Sequence, residues 1–145
     1  NYAKSDMTAI ALMPGALTLL KSLRAQGTRI ALVTSSYRST VDSVLGHHGL
    51  LDYFEFFVTR ERVTTPKPNA EPYLLALKLL DLAAEDVIAV EDTSTGCHAA
   101  QGAGIYCVAV SKHATERSRL GQADILLEDL YALSSALFLP QEIKK

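Results

Sequence analysis

Five short apolar runs, separated by segments with helical spacing, constrain what this chain can fold into more than any other feature. Arg29–Val33, Phe54–Val58, Val87–Val90, Ile105–Val110 and Ala123–Leu127 read as strands. Near-continuous apolar runs mark strands covered on both faces, and strands that alternate with helices imply crossover connections and parallel pairing. The expected fold class is therefore α/β, a doubly wound parallel sheet with helices on both faces.

The intervening segments support this reading. Pro14-Gly15 opens a helix in which Ala16, Leu19, Leu20 and Leu23 recur at helical spacing until Gly27 stops it. Val41, Val44, Leu45 and His48 lie on one face of a second helix, with Gly46 and Gly49 near its end. Pro72 opens a third, Tyr73–Leu82, whose leucines run almost all the way round and predict deep burial. Gly96, Ala99, Ala100 and Ala103 form a small-residue face that lets a helix lie close to a sheet, and Leu130, Leu133 and Leu137 line a closing helix. Between the second strand and the third helix, Thr59–Asn69 is a polar loop containing Pro66, Lys67 and Pro68. No repeat, linker or low-complexity segment divides residues 1–145, which read as a single domain.

Composition excludes several classes. At 145 residues the chain is near the modal domain size and long enough for a core without a disulfide or metal staple. A net charge of -2 gives no electrostatic footprint for nucleic acid. No apolar run approaches the ~20 residues of a membrane span, and residues 1–6 do not lead into a signal-peptide core. A cytoplasmic protein with no nucleic-acid or membrane partner is expected. Cys97 and Cys107 lie in no C-x-x-C pattern and at no zinc-ligand spacing, which predicts reduced, buried small residues rather than a structural metal or redox pair. The four histidines read as structural or surface residues.

Polar chemistry collects at three strand ends: Thr34-Ser35-Ser36 after the first, Lys67 in the loop after the second, and Glu91-Asp92 after the third. Ligands in open α/β sheets gather outside the carboxyl ends of the strands. Hydroxyls and backbone N–H groups at a helix start cradle phosphate, lysine supplies a compact positive charge, and paired carboxylates hold Mg²⁺. Each has a plainer reading: helix N-caps for Thr34 and Ser36, a solvated loop lysine for Lys67, turn formers for Glu91 and Asp92. Their occurrence in order at three parallel strand ends favours a phosphoryl site.

These segments resemble the motifs of the haloacid dehalogenase-like hydrolase superfamily, in particular its phosphatase and phosphoglucomutase branch. Met13-Pro14-Gly15-Ala16-Leu17 is similar to the family's entry to the helix before its second core strand. Leu32-Val33-Thr34-Ser35-Ser36 resembles its second motif, Lys67-Pro68-Asn69-Ala70-Glu71-Pro72-Tyr73 its third, and Val90-Glu91-Asp92-Thr93-Ser94-Thr95-Gly96 its fourth, acidic motif. The resemblance implies phosphoryl transfer from a small phosphorylated metabolite to an aspartate and then to water. It gives Thr34 the phosphoryl oxygens, Ser35 and Ser36 further donors, and Arg38 a reach toward substrate. Lys67 would offset the charge of nucleophile and phosphate, and Asp92 would ligate Mg²⁺, with Glu91 a second ligand or a group behind it.

The family's first motif, an apolar strand ending in a D-x-D whose first aspartate is the nucleophile, has no counterpart, since the chain contains no D-x-D. The resemblance therefore implies the core without its first strand and without the usual cap: either the C-terminal part of a larger enzyme or a short homologue that has lost the chemistry. Three functions follow: a phosphatase with a mutase as close relative, a non-catalytic Mg²⁺- and phosphate-binding module, and a receiver-like signalling domain. The lack of an early acidic pair counts against the last. In the family the first strand lies between those carrying Thr34 and Asp92. With that strand absent, the expectation is direct pairing of Arg29–Val33 with Val87–Val90, in the order 2-1-3-4-5. The competing expectation is that an N-terminal fragment or a neighbouring chain supplies the strand.

Overall fold

The computed structural model describes residues 13–138. In chain order the main elements are α1 (Ala16–Ala25), β1 (Ala31–Val33), α2 (Arg38–His47), β2 (Phe56–Val58), α3 (Glu71–Leu80), β3 (Ile88–Glu91), α4 (Ser94–Gly102), β4 (Tyr106–Val110), α5 (Ala114–Ser118), β5 (Ile125–Leu127) and α6 (Leu130–Phe138). All five expected strands are present, each trimmed at its amino end, and all pair in parallel. The short helix α5 was not expected. No described helix is long and apolar enough to cross a membrane.

Local chemistry sets the helix ends. Gly27 has φ 76°, a conformation that costs a residue with Cβ, and Thr28 N–H closes back onto the Leu23 carbonyl at 2.9 Å, which stops α1. Asp81, φ 58°, plays the same part after α3. The Thr93 hydroxyl oxygen accepts from Gly96 N–H at 3.1 Å and caps α4, satisfying one of the donors a helix start leaves open.

Helices cover both faces. Leu20 of α1 and Val41 and Leu45 of α2 pack with Phe57 of β2. Ala16 and Leu19 of α1 and Leu130 and Leu133 of α6 pack on Val108 and Val110 of β4. The alternate residues of β4, Cys107 and Ala109, face Tyr73 of α3 and Cys97, Ala99 and Ala100 of α4, so the small-residue face does bring α4 close to the sheet. Helix α3 is less deeply buried than its leucines suggest: Pro72, Tyr73, Ala76 and Leu80 are buried, whereas Leu74 and Leu79 are exposed.

The strand order corrects the expectation of direct pairing. Among the described residues β1 pairs only with β2, while β3, β4 and β5 form a separate sheet in that order. A cavity of about 720 Å³ lies between them, lined by Ala31, Leu32 and Val33 on one side and by Ile88, Ala89 and Val90 on the other. The packing explains the separation. Helix α3 serves both sheets, with Ala76 against Val58 and Tyr73 against Ala89 and Cys107. Helix α1 also serves both, with Leu20 on the β1–β2 side and Ala16 and Leu19 on the β4 side. Helices that span both sheets fix their spacing, and the facing edges of β1 and β3 do not meet.

Candidate active site

The carboxyl ends of β1 and β3 converge on one buried ion pair. Lys67 Nζ donates to Glu91 Oε2 at 2.6 Å and to the Val33 carbonyl at 2.9 Å, tying the end of β3 to the end of β1 across the cavity mouth. The side chains of Lys67 and Glu91 are 5% and 3% exposed, so neither charge is dissipated in solvent. The Tyr73 hydroxyl donates to the same Oε2. Burial, reinforced by the Glu91 charge, pushes the Tyr73 phenol well above its ordinary value, which keeps its proton in place for that bond. The other oxygen, Oε1, sits against Gly96: a Cβ there would fall 1.9 Å from it. Glycine is thus required by space at the first turn of α4, at a helical φ.

Such a pair is a poor stability device. Desolvating two charges costs several kcal/mol per ion, and well-packed apolar residues often replace a buried pair without loss. Its place at the strand ends points to chemistry.

Thr34 follows β1 directly, 5% exposed, and its N–H is taken by the Val58 carbonyl at 2.9 Å. Thr34 Oγ1 accepts from Ser36 N–H at 3.0 Å, closing a tight local turn. Neither Thr34 nor Ser36 caps α2, whose N-cap is Tyr37, so the N-cap reading of these residues falls. Ser36 is fully buried and Ser35 half-buried. Thr34, Lys67, Tyr73 and Glu91 line the same cavity. Asp92 follows β3, half-buried, at the entry to α4.

Arg38 is not brought into this group. Its guanidinium pairs with Asp42 at 2.8 Å and lies 4.5 Å above the Phe57 ring, on the exposed side of α2. Tyr73 is the residue that sequence reasoning missed. Its signal was a lone phenol among leucines, six positions after Lys67, where an apolar core position would need no hydroxyl.

The loop carrying Lys67 is held by Glu71. Both of its carboxylate oxygens accept backbone N–H groups, from Thr64 at 2.9 Å and Thr65 at 2.8 Å, while Asn69 Oδ1 accepts from Glu71 N–H. The peptide between Lys67 and Pro68 is cis. The bonds from Thr64 and Thr65 lower the Glu71 carboxyl below its usual value of 4.5. A depressed carboxyl stabilises the fold above the unfolded value, and that contribution is lost as pH falls through the folded one. The protection factors of the Thr64 and Thr65 amides, with the intrinsic pH dependence of exchange divided out, should therefore be constant above pH 4.5 and fall below it, and Glu71→Gln should remove that acid dependence.

Among the described residues, no three His, Cys, Asp or Glu side chains are grouped to hold a metal ion. Mg²⁺ requires near-octahedral oxygen ligation, and Glu91 already accepts two donors on one oxygen. Glu91 and Asp92 alone do not supply that ligation.

Comparison with known proteins decides the lineage. The family described as haloacid dehalogenase-like hydrolase matches residues 1–110. The chain belongs to the haloacid dehalogenase-like hydrolase family. Within it, the phosphatase and phosphoglucomutase branch holds its relatives. The chain is 34% identical over 128 residues to validoxylamine A 7'-phosphate phosphatase of Streptomyces hygroscopicus subsp. limoneus, covering 88% of this chain and 60% of that protein. It is 34% identical over 128 residues to hexitol phosphatase A of Escherichia coli, covering 87% and 57%. Among solved structures, β-phosphoglucomutase from Clostridium difficile superposes with a TM-score of 0.75 at 26% identity, over 83% of this chain and 52% of that one. CbbY from Rhodobacter sphaeroides in complex with phosphate gives 0.76 at 29%, over 83% and 55%. The chain therefore spans between half and two thirds of the length of these haloacid dehalogenase-like relatives.

Proposed function

We propose that this chain is the phosphoryl-binding part of a phosphatase acting on a small phosphorylated metabolite, completed by a strand that enters between β1 and β3. The observation that carries the reading is the buried Lys67–Glu91 pair at the mouth of an apolar slot flanked by two strand edges. A parallel strand needs a hydrogen-bonding neighbour at about 4.8 Å, and the facing edges of β1 and β3, which do not pair with each other, offer one on either side. The first motif of this family, an apolar strand ending in a nucleophilic carboxylate, is such an occupant. It comes from elsewhere in a longer polypeptide or from a separate chain.

In that arrangement Thr34, with Ser35 and Ser36, binds phosphoryl oxygens. Lys67 neutralises charge on both the nucleophile and the transferring group, where positioned charge contributes most to phosphoryl transfer. The carboxylate of the added strand supplies an oxygen ligand that Glu91 and Asp92 lack, which makes this the place for Mg²⁺. The presence of phosphatases among the relatives supports hydrolysis over isomerisation, and the mutase is the alternative.

The 145-residue chain alone should not turn over p-nitrophenyl phosphate with Mg²⁺ present, because the chain contains no D-x-D to supply the attacking carboxylate. Co-expression with an N-terminal segment bearing the D-x-D strand should restore turnover, and changing the first aspartate to asparagine should abolish it. Sustained turnover by the chain alone, surviving repurification and lost in Asp92→Ala, would contradict the proposal. So would a co-purifying complex that remains inert toward every phosphomonoester offered.

A further inference from the structure

A second centre of chemistry lies behind the site and belongs to none of its roles. Cys97 in α4 and Cys107 in β4 are both fully buried, and the Cys107 thiol donates to the Cys97 sulfur with 3.1 Å between the sulfurs. Their spacing of ten residues gives no redox motif; the fold alone brings them together. We propose that Cys97 and Cys107 are a redox modification site that closes to an intramolecular disulfide in the folded protein.

The scaffold holds the two sulfurs together independently of any bond between them. β4 is fixed between β3 and β5 in the middle of its sheet, and α4 is clamped on it by Ala99 and Ala100, both fully buried. A disulfide needs its sulfurs about 2.05 Å apart, so bonding asks them to close by about 1 Å. In the unfolded chain the same thiols must first pay the entropy of closing a loop, whereas in the folded protein that cost is already met. Folding therefore raises the effective concentration of one thiol at the other.

The co-reactant is a small-molecule disulfide such as oxidised glutathione. The Cys97 thiolate attacks one sulfur of glutathione disulfide, forming a mixed disulfide and releasing one glutathione thiolate. Cys107 gives up its proton, its sulfur attacks the Cys97 sulfur, and the second glutathione thiolate leaves. Two protein thiols are oxidised, one glutathione disulfide is reduced to two thiols, and the two protons end on glutathione. The order follows from the hydrogen bond: it lowers the Cys97 thiol and raises that of Cys107, which burial raises further. Both thiols are fully buried, so their rate of reaction with a bulky reagent reports access and the equilibrium is the quantity to measure.

The bridge would join the first half of α4 to the central strand. That half carries Gly96, which abuts the Glu91 carboxylate, and begins two residues after Asp92. Oxidation would pin the helix that frames both acidic groups.

The test is to equilibrate the 145-residue chain anaerobically in reduced and oxidised glutathione, quench with acid, alkylate and weigh the products. The same mixtures with enough urea to unfold the chain give the reference. The bridged species, lighter by two hydrogens and free of glutathione adduct, should be at least tenfold more populated relative to the dithiol in the folded chain, equivalent to about 1.4 kcal/mol. By linkage, the oxidised protein should then unfold at higher urea than the reduced one. An equal or smaller ratio in the folded chain would overturn the proposal, as would only mixed glutathione adducts or a lower unfolding midpoint after oxidation. Cys107→Ser should give the mixed adduct and no bridge.

Discussion

Replacing Lys67 with methionine should destabilise the protein by about 3 kcal/mol, the lower end of the cost of breaking a buried ion pair from one side. The loss comes from Glu91, left 3% exposed with its charge and without its cation. Tyr73 still donates to Oε2, which holds the expected value at the low end. Replacing both partners, Lys67→Met with Glu91→Leu, should restore part of the loss, because paired removal leaves no uncompensated charge, and adding Tyr73→Phe, which removes the hydroxyl that Glu91 accepts from, should restore more. Urea unfolding of the two single variants, the double variant and the triple variant measures this directly. A Lys67→Met cost below about 1 kcal/mol would mean that the pair behaves as an exposed one.

Gly96→Ala should cost about 2–3 kcal/mol, as overpacking a well-filled site does. The added methyl would fall 1.9 Å from Glu91 Oε1 and 2.3 Å from Cδ, so the carboxylate must move rather than merely tighten. Moving it breaks its bonds from Lys67 and Tyr73. The two substitutions therefore draw on one interaction, and Gly96→Ala combined with Lys67→Met should cost less than the sum of the singles by more than the ~0.5 kcal/mol scatter of independent sites. Additive losses would show that Gly96 acts through the helix alone.

The slot and the pair together explain which parts of this fold were legible in sequence. The alternation of apolar runs with helical segments gave the strand count, the parallel pairing and the layers, because burial on both faces writes itself into composition. Strand starts were less legible: Arg29 reads as the head of β1, yet its guanidinium leaves the sheet to bond Glu55 at 2.7 Å and the Leu80 carbonyl at 3.0 Å. Sheet order was misjudged at its centre. Helices α1 and α3 pack on both sheets and keep β1 and β3 apart.

The site was legible as a set of residue types and less so as a set of partnerships. Thr34, Lys67 and Glu91 line one cavity, although the strands that lead to them belong to two separate sheets. That Lys67 and Glu91 satisfy each other, and share Tyr73, follows from burial, which a sequence expresses only weakly at a loop and a strand end. The Arg38 guanidinium is held apart from this group for a local reason visible in the sequence, since Asp42 stands one helical turn away at the spacing that favours an ion pair. The thiols Cys97 and Cys107 were read correctly as buried, but their contact is a property of how α4 lies on β4.

The most direct test of the phosphoryl-site reading is a titration of the ¹⁵N-labelled chain with inorganic phosphate, repeated on the Lys67→Met/Glu91→Leu variant. Saturable shifts should centre on the amides of Thr34, Ser35 and Ser36 and weaken at least tenfold in the variant, whose fold the partly restored urea midpoint would verify. Shifts absent from these three amides, or equally strong in the variant, would contradict the account.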